Sequence, residues 1–220
     1  GIRFVGHGHR LSVAVIGREA LDQDTVGRLA ERVAYDVSLF DQQGCVSPHV
    51  VYVERGGMIP PEVFAERLAE AMASFECAMP RGRLRLEEAS AIQQVRTAAE
   101  LRALREEPIC LFQSASGTAW TVIYEEDQTF VPSCLNRVVR VKPLMDVAEL
   151  PGLLRPTGRF LQTVGTAMSR ERRNRLAEVL APVGACRICP IGEMPHPPLT
   201  WHHDGGFSLL PLLRWTSIEE

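Results

Sequence analysis

The chain predicts an α/β protein, a mostly parallel sheet with helices on both faces. Strand-like and helix-period segments alternate along its 220 residues, which is the signature of that architecture. Near the start, a helical pattern passes through a short polar loop into the apolar, β-prone run Val50-Val51-Tyr52-Val53. No internal repeat or low-complexity tract interrupts the series.

The elements follow in order. Ser12–Ile16 reads as a strand. Thr25–Leu39 reads as a helix because Val26, Leu29, Ala30, Val33, Ala34 and Val37 recur at steps of three and four. His49–Glu54 is the next strand. Pro60-Pro61 opens a helix over Glu62–Phe75, proline being favoured in a first turn. A short helix at Ala98–Glu106 precedes strands at Ile109–Phe112, Ala119–Tyr124 and Arg137–Val141. A helix at Val147–Leu153, a strand at Phe160–Val164, a helix at Ser169–Leu180 with Ser169 as its cap and a strand at Ala185–Ile188 complete the core. Beyond Gly192 the character changes. Pro195, Pro197 and Pro198 exclude a regular helix, Asp204-Gly205-Gly206 is a turn signal, and Phe207–Trp215 predicts a last apolar strand. An exposed apolar edge invites association, so that strand requires a partner.

Composition bounds the function. Hydrophobic residues at 45% and charged residues at 23% match an ordinary soluble globular protein. A net charge of −3 gives no electrostatic case for nucleic acid or an anionic membrane. No stretch approaches the ~20 apolar residues of a membrane span, and there is no signal-peptide pattern. Six cysteines without a small-scaffold spacing favour a reduced, cytoplasmic setting. Residue 1 is glycine and the chain opens inside a β-α unit, so a fragment of a longer protein is expected.

Cys45 is the first candidate for chemistry. It lies in Asp41-Gln42-Gln43-Gly44-Cys45-Val46-Ser47-Pro48-His49, a polar loop at a helix–strand junction with a backbone-lined rim on which an acyl group can rest. The alternative is a small buried hydrophobe, as most free cysteines are. His49, four residues on, lies roughly 13 Å from Cys45 if the chain between is extended, and Pro48 can bring it nearer.

The wording around Cys45 resembles the active-site segment of the long-chain fatty acyl-CoA reductases that supply aldehyde for bacterial bioluminescence, a branch of the aldehyde dehydrogenase superfamily. The block from Cys186 to Gly205, which includes Pro190-Ile191-Gly192-Glu193-Met194-Pro195 and Trp201-His202-His203-Asp204-Gly205, resembles the same family's C-terminal segment. Gly8-His9-Arg10 with Ser12-Val13-Ala14-Val15 is similar to its entry into the catalytic domain. The resemblance implies that residues 1–10 end a mostly missing cofactor-binding domain. It further implies a catalytic domain over 11–192, and a return segment with an oligomerisation strand over 193–220. It implies acylation of Cys45 by a fatty acyl-CoA, hydride from NADPH and release of fatty aldehyde. Acyl-transferase and acyl-protein synthetase partners and a homo-oligomer are also implied.

Two departures matter. Where aldehyde oxidisers carry a water-activating glutamate, this chain has Gly6-His7-Gly8-His9-Arg10; losing that base suits a reductase, in which water attack would waste the acyl group. The segment Pro132-Ser133-Cys134-Leu135-Asn136-Arg137 likewise lacks the acid that holds the nicotinamide ribose in the superfamily. His7 and His9 are auxiliary candidates for nicotinamide binding or carbonyl polarisation, set against a tight surface turn permitted by Gly6 and Gly8. The rivals are an inactive structural module and a zinc site built from Cys186, Cys189, His196, His202 and His203. The reductase resemblance accounts for those five residues without a metal. Arg170, Arg172, Arg173 and Arg175 could meet CoA phosphates, or form a solvated helix face.

Overall fold

A computed structural model describes residue 4, residues 6–207 and residues 209–219. Its sheet consists of β1 (Leu11–Ile16), β2 (Pro48–Glu54), β3 (Ile109–Gln113), β4 (Thr121–Glu125), β5 (Val138–Leu144), β6 (Leu161–Ala167) and β7 (Arg187–Pro190). The order across the sheet is β3-β4-β5-β2-β1-β6-β7. Every pairing is parallel except β3 with β4. Helices α1 (Val26–Ser38), α2 (Pro61–Ala78), α3 (Leu86–Leu104), α4 (Leu150–Leu154) and α5 (Arg170–Leu180) cover it.

The uninterrupted apolar run in β2 has a simple cause. Val51 and Val53 pack on one face with Leu29, Val33 and Val37 of α1 and Phe64, Leu68 and Met72 of α2. Val50 and Tyr52 pack on the other with Leu150, Leu154, Leu176 and Leu180 of α4 and α5. A strand buried on both faces has no reason to alternate.

Parallel strands place all their N-terminal ends along one edge. The chains entering β1, β2, β5, β6 and β7 therefore converge there, and this edge holds Cys45. The opposite edge is closed by ion pairs. Arg172 binds Glu54 at 2.7 Å and Glu19 at 2.5 Å, and Arg18 binds Glu54 at 2.8 Å. Burial alone would raise the Glu54 pKa, but the two guanidinium groups hold it down at about 2. The arginine-rich start of α5 is thus across the sheet from Cys45, and Arg172 is spent on structure.

The loop after β7 is fixed from below by α1. Asp36 accepts from the Gly192 N–H at 2.6 Å and the Met194 N–H at 3.3 Å. Burial pushes the Asp36 carboxyl up to about 7 despite those bonds. Met194 in turn fills the space over Gly165, where an added Cβ would lie 2.4 Å from its sulfur. Gly165→Ala should therefore overpack this contact and cost about 1–3 kcal/mol, read as a lowered urea midpoint at constant slope.

Two expectations are corrected. Helix α3 starts at Leu86 rather than Ala98. Its face toward β3 and β4 is thin, Val95 and Ala99 meeting Ile109, Leu111 and Ile123, so apolar periodicity hardly marks its first half. Its start is set instead by Glu88, which accepts from the Arg85 N–H at 2.8 Å. The tail is not a strand over its described residues: Leu210–Leu212 form a 3-10 turn, and Ser208 lies outside the described residues. Pro211 cannot donate to a ladder, and Leu209, Leu212 and Trp215 remain exposed. Among the described residues no helix is long and apolar enough to cross a membrane.

Candidate active site at the amino-terminal edge of the sheet

Two left-handed turns support the Cys45 loop. Phe40, Asp41 and Gln42 have φ of 56°, 52° and 62°, and Leu135, Asn136 and Arg137 have φ of 67°, 58° and 65°. Such conformations cost of order 1–3 kcal/mol per non-glycine residue and persist only where surrounding contacts over-determine them. Here those contacts run between the two turns. The Asn136 N–H donates to the Asp41 carbonyl at 3.1 Å, and Gln43 Nε2 donates to Asn136 Oδ1 at 3.0 Å. The Gln42 side chain is buried. Its Nε2 donates to the Pro48 and Val138 carbonyls at 2.8 and 2.9 Å, and its Oε1 accepts from the Val138 N–H at 3.0 Å. Arg137, 3% exposed, pairs with Asp41 at 2.8 Å and Glu76 at 2.5 Å.

From this clamp the chain turns through Gly44–Ser47, closed by the Ser47 N–H donating to the Gly44 carbonyl at 2.9 Å. Cys45 sits in the turn, partly exposed. Its carbonyl accepts from Ser12 Oγ at 2.7 Å, and Ser12 Oγ accepts from the Thr163 N–H at 3.2 Å. The cysteine is thereby tied to the first residues of both β1 and β6. Among the described residues, the N–H groups of Cys45 and Val46 have no acceptor, which leaves two donors beside the thiol.

His49 is buried at the start of β2, and its Nδ1 accepts from the Ser133 N–H at 3.0 Å. Burial, assisted by the charge of nearby His9, pushes its pKa down to about 4. It is therefore a neutral imidazole with one nitrogen already committed. His9 lies on the rim, its ring 6.3 Å from that of Phe160.

His7 lies farther along the same edge, beside Asp204. The Asp204 carboxylate accepts from His7 Nδ1 at 3.0 Å and Gln162 Nε2 at 3.0 Å, and meets Arg10 Nε at 2.8 Å. Burial would raise its pKa, but the His7, Arg10 and Gln162 contacts hold it at about 2. His203 Nδ1 is 3.3 Å away without hydrogen-bond geometry, and its ring stands edge-on to His7 at 4.7 Å. A cavity of about 430 Å³ opens here, lined by His7, Arg10, His203, Asp204, Phe207 and Pro211 among others.

The residues weighed as a zinc site are dispersed. Cys189 is buried among the residues packed on α1, its thiol pushed up to about 11 by burial. Cys186 lies instead against the Gly205 turn. His196 Nε2 is 2.7 Å from Tyr35 Oη, and the His202 ring meets Phe207. Among the described residues, the ligand atoms that converge belong to His7, His203 and Asp204, within 4.8 Å of one another. Arg10 already occupies the second oxygen of that carboxylate. Sequence reasoning missed Ser12, Gln42, Gln162 and Arg137, because each has a partner far along the chain. It read Asp204 only as a turn residue.

A family model described as acyl-CoA reductase (LuxC) matches residues 1–215. No curated protein sequence matches the chain. Among solved structures it is similar to an indole-3-acetaldehyde dehydrogenase in complex with NAD+, with a TM-score of 0.66 at 13% identity, covering 91% of this chain and 41% of that one. It is also similar to the aldehyde dehydrogenase KauB from Pseudomonas aeruginosa, with a TM-score of 0.64 at 13% identity and coverage of 91% and 41%. For an NAD-dependent aldehyde dehydrogenase from Burkholderia multivorans the TM-score is 0.61 at 14% identity, with coverage of 84% and 36%. At these identities the likeness is one of fold. The chain spans about two fifths of the length of these dehydrogenases, from 36% to 41%.

Proposed function

Because this chain belongs to the acyl-CoA reductase (LuxC) family, we propose that it is the catalytic portion of a longer cytoplasmic enzyme that reduces long-chain fatty acyl-CoA to fatty aldehyde with NADPH. The carrying observation is the partly exposed Cys45 in a turn with two unpaired N–H groups beside it. The Cys45 thiolate attacks the thioester carbonyl, and the oxyanion that forms is met by the N–H groups of Cys45 and Val46. Collapse of the adduct expels CoA and leaves acyl-Cys45. A nicotinamide held beside this turn would supply the hydride for the thioester, and Cys45 would be the group that leaves.

The residues present do not build a dinucleotide site themselves. Gly6–Arg10 lacks the ending of a phosphate loop, and Pro132–Arg137 offers no carboxylate for a ribose. We therefore assign cofactor binding to a domain preceding residue 11, placed against the edge that carries Cys45. The exposed Leu209, Leu212 and Trp215 suit contact with a second copy of the chain, and acyl-transferase and acyl-protein synthetase subunits suit acyl delivery.

The test is product identity. Full-length protein given a long-chain acyl-CoA and NADPH should yield aldehyde and free CoA in equal amounts while NADPH disappears in step. Gas chromatography and thiol titration follow the two products. Free acid as the main product, or no CoA release, would remove the reductase reading.

A further inference from the structure

The arginines of α5 stand at the edge of the sheet opposite Cys45, but a second group stands on the Cys45 edge itself. Helix α2 runs back to that edge and ends at Ala78. The chain then passes through Arg81-Gly82-Arg83-Leu84-Arg85 before α3 begins. Two contacts tie this segment to the support of the Cys45 turn. The Gly82 N–H donates to the Asp41 carboxylate at 2.9 Å, and Arg137 donates to the Met79 carbonyl at 3.0 Å.

The tip of the hairpin between β3 and β4 lies alongside. Arg81 Nη2 donates to Thr118 Oγ1 at 3.3 Å. Arg96 of α3, 4% exposed, holds the tip from beneath, donating to the Gly117 carbonyl at 2.7 Å and the Trp120 carbonyl at 2.8 Å. The charges here do not balance pairwise. Asp41 and Glu76 are committed to Arg137, Glu88 to Arg85, and Glu100 faces Gln113. Among the described residues no carboxylate forms an ion pair with Arg81, Arg83 or Arg96. Arg81 Nε is buried without a hydrogen-bond partner, and burial holds the pKa of both Arg81 and Arg96 below the ordinary arginine value. Cations in that state gain from an incoming anion. The tip adds donors of its own. Among the described residues the N–H groups of Ala115, Ser116 and Gly117 have no acceptor, and Gly117 has a φ of 62°. Successive free N–H groups at such a turn suit an anion.

We propose that Arg81, Arg83 and the N–H groups of Ala115–Gly117 hold the phosphates of the CoA moiety, an assignment that rests on the function proposed above. The strand order gives the span. From β4 to β2 is two strand spacings and to β1 three, so the tip stands roughly 10–15 Å along the edge from Cys45. Between the CoA sulfur and its pyrophosphate lie about 13 bonds of methylene and amide chain, which reach roughly 15 Å at the extension of a polypeptide. A thioester seated on Cys45 thus sets its phosphates down at the hairpin tip. NADPH carries the same chemistry, a phosphorylated adenosine diphosphate, and the test separates the two sources.

Two acyl donors are compared on full-length protein without nicotinamide, Cys45 acylation being followed by rapid quench and intact mass. One is a long-chain acyl-CoA below saturation. The other is the same acyl group on pantetheine, which ends before the nucleotide. Arg83→Glu and Arg81→Gln should each slow acylation by acyl-CoA about tenfold and leave the pantetheine thioester unaffected. Rising salt should depress only the acyl-CoA rate. Arg170→Glu, the same charge change on the opposite edge, should keep the wild-type rate. An equal loss with both donors would overturn the anchor, as the mark of a disturbed Cys45 turn. Wild-type acyl-CoA rates in both variants would overturn it too, as would an equal loss in Arg170→Glu. A raised KM for NADPH with unchanged acylation would give these arginines to the nicotinamide nucleotide and take them from CoA. If Arg81→Gln fails to melt cooperatively, Arg83→Glu carries the comparison, since Arg83 makes no hydrogen bond or ion pair among the described residues. Wild-type protein acylated by neither donor would overturn the reductase reading itself, and the anchor with it.

Discussion

Replacing Cys45 by alanine should abolish acyl transfer. Wild-type protein incubated with a long-chain acyl-CoA in the absence of nicotinamide should gain the mass of one acyl group, and Cys45→Ala should gain none. The other five cysteines act as internal controls. Cys189 is buried with its thiol pushed up to about 11, and burial likewise raises the Cys134 and Cys186 thiols. Cys77 and Cys110 are exposed, so peptide mapping of the adduct should exclude them. An equal adduct on the alanine variant would take Cys45 out of the mechanism.

Arg137→Ala should be the most damaging single change in the support of that loop. Arg137 joins Asp41 and Glu76, its guanidinium also donates to the Met79 carbonyl at 3.0 Å, and it is nearly fully buried. Removing one partner of a buried pair typically costs 3–5 kcal/mol, and the partial exposure of Asp41 and Glu76 reduces this to about 3 kcal/mol here. Urea unfolding should show that loss. Cys45 alkylation should also change in rate, because the left-handed turns at Phe40–Gln42 and Leu135–Arg137 lose the cation between them. A variant with wild-type stability and thiol reactivity would show that the backbone bonds alone maintain the clamp.

The sheet and most of its helices could be read from the sequence because burial on both faces imposes apolar runs and helical periods. Thr25–Leu39 and Ser169–Leu180 agree with α1 and α5 to within a residue or so at each end. Helix α3 was only half legible, since its first turns rest on polar capping and its buried Arg96 binds the carbonyls of Gly117 and Trp120. The tail failed for a related reason, as apolar content without a ladder partner does not make a strand. At the candidate site, the place of Cys45 in a turn ahead of β2 was legible. The partners that position it were not. Ser12 and Thr163 become neighbours only once β1 and β6 lie side by side.

That adjacency bears on how the protein forms. The interior strand β1 emerges early in the chain, yet its neighbour β6 follows some 150 residues later, and the Thr163–Ser12 bond spans 151 positions. Long-range parallel pairing carries a high entropic cost and forms slowly. The β1–β2 pair can assemble soon after synthesis of Glu54, so the nascent chain displays the thiol well before β6 exists. The support of its turn is then completed among the last parts of the fold, when β6 docks and the Thr163 N–H reaches Ser12 Oγ. An unfinished or truncated chain thus carries the cysteine without the Thr163 bond that completes the support of its turn.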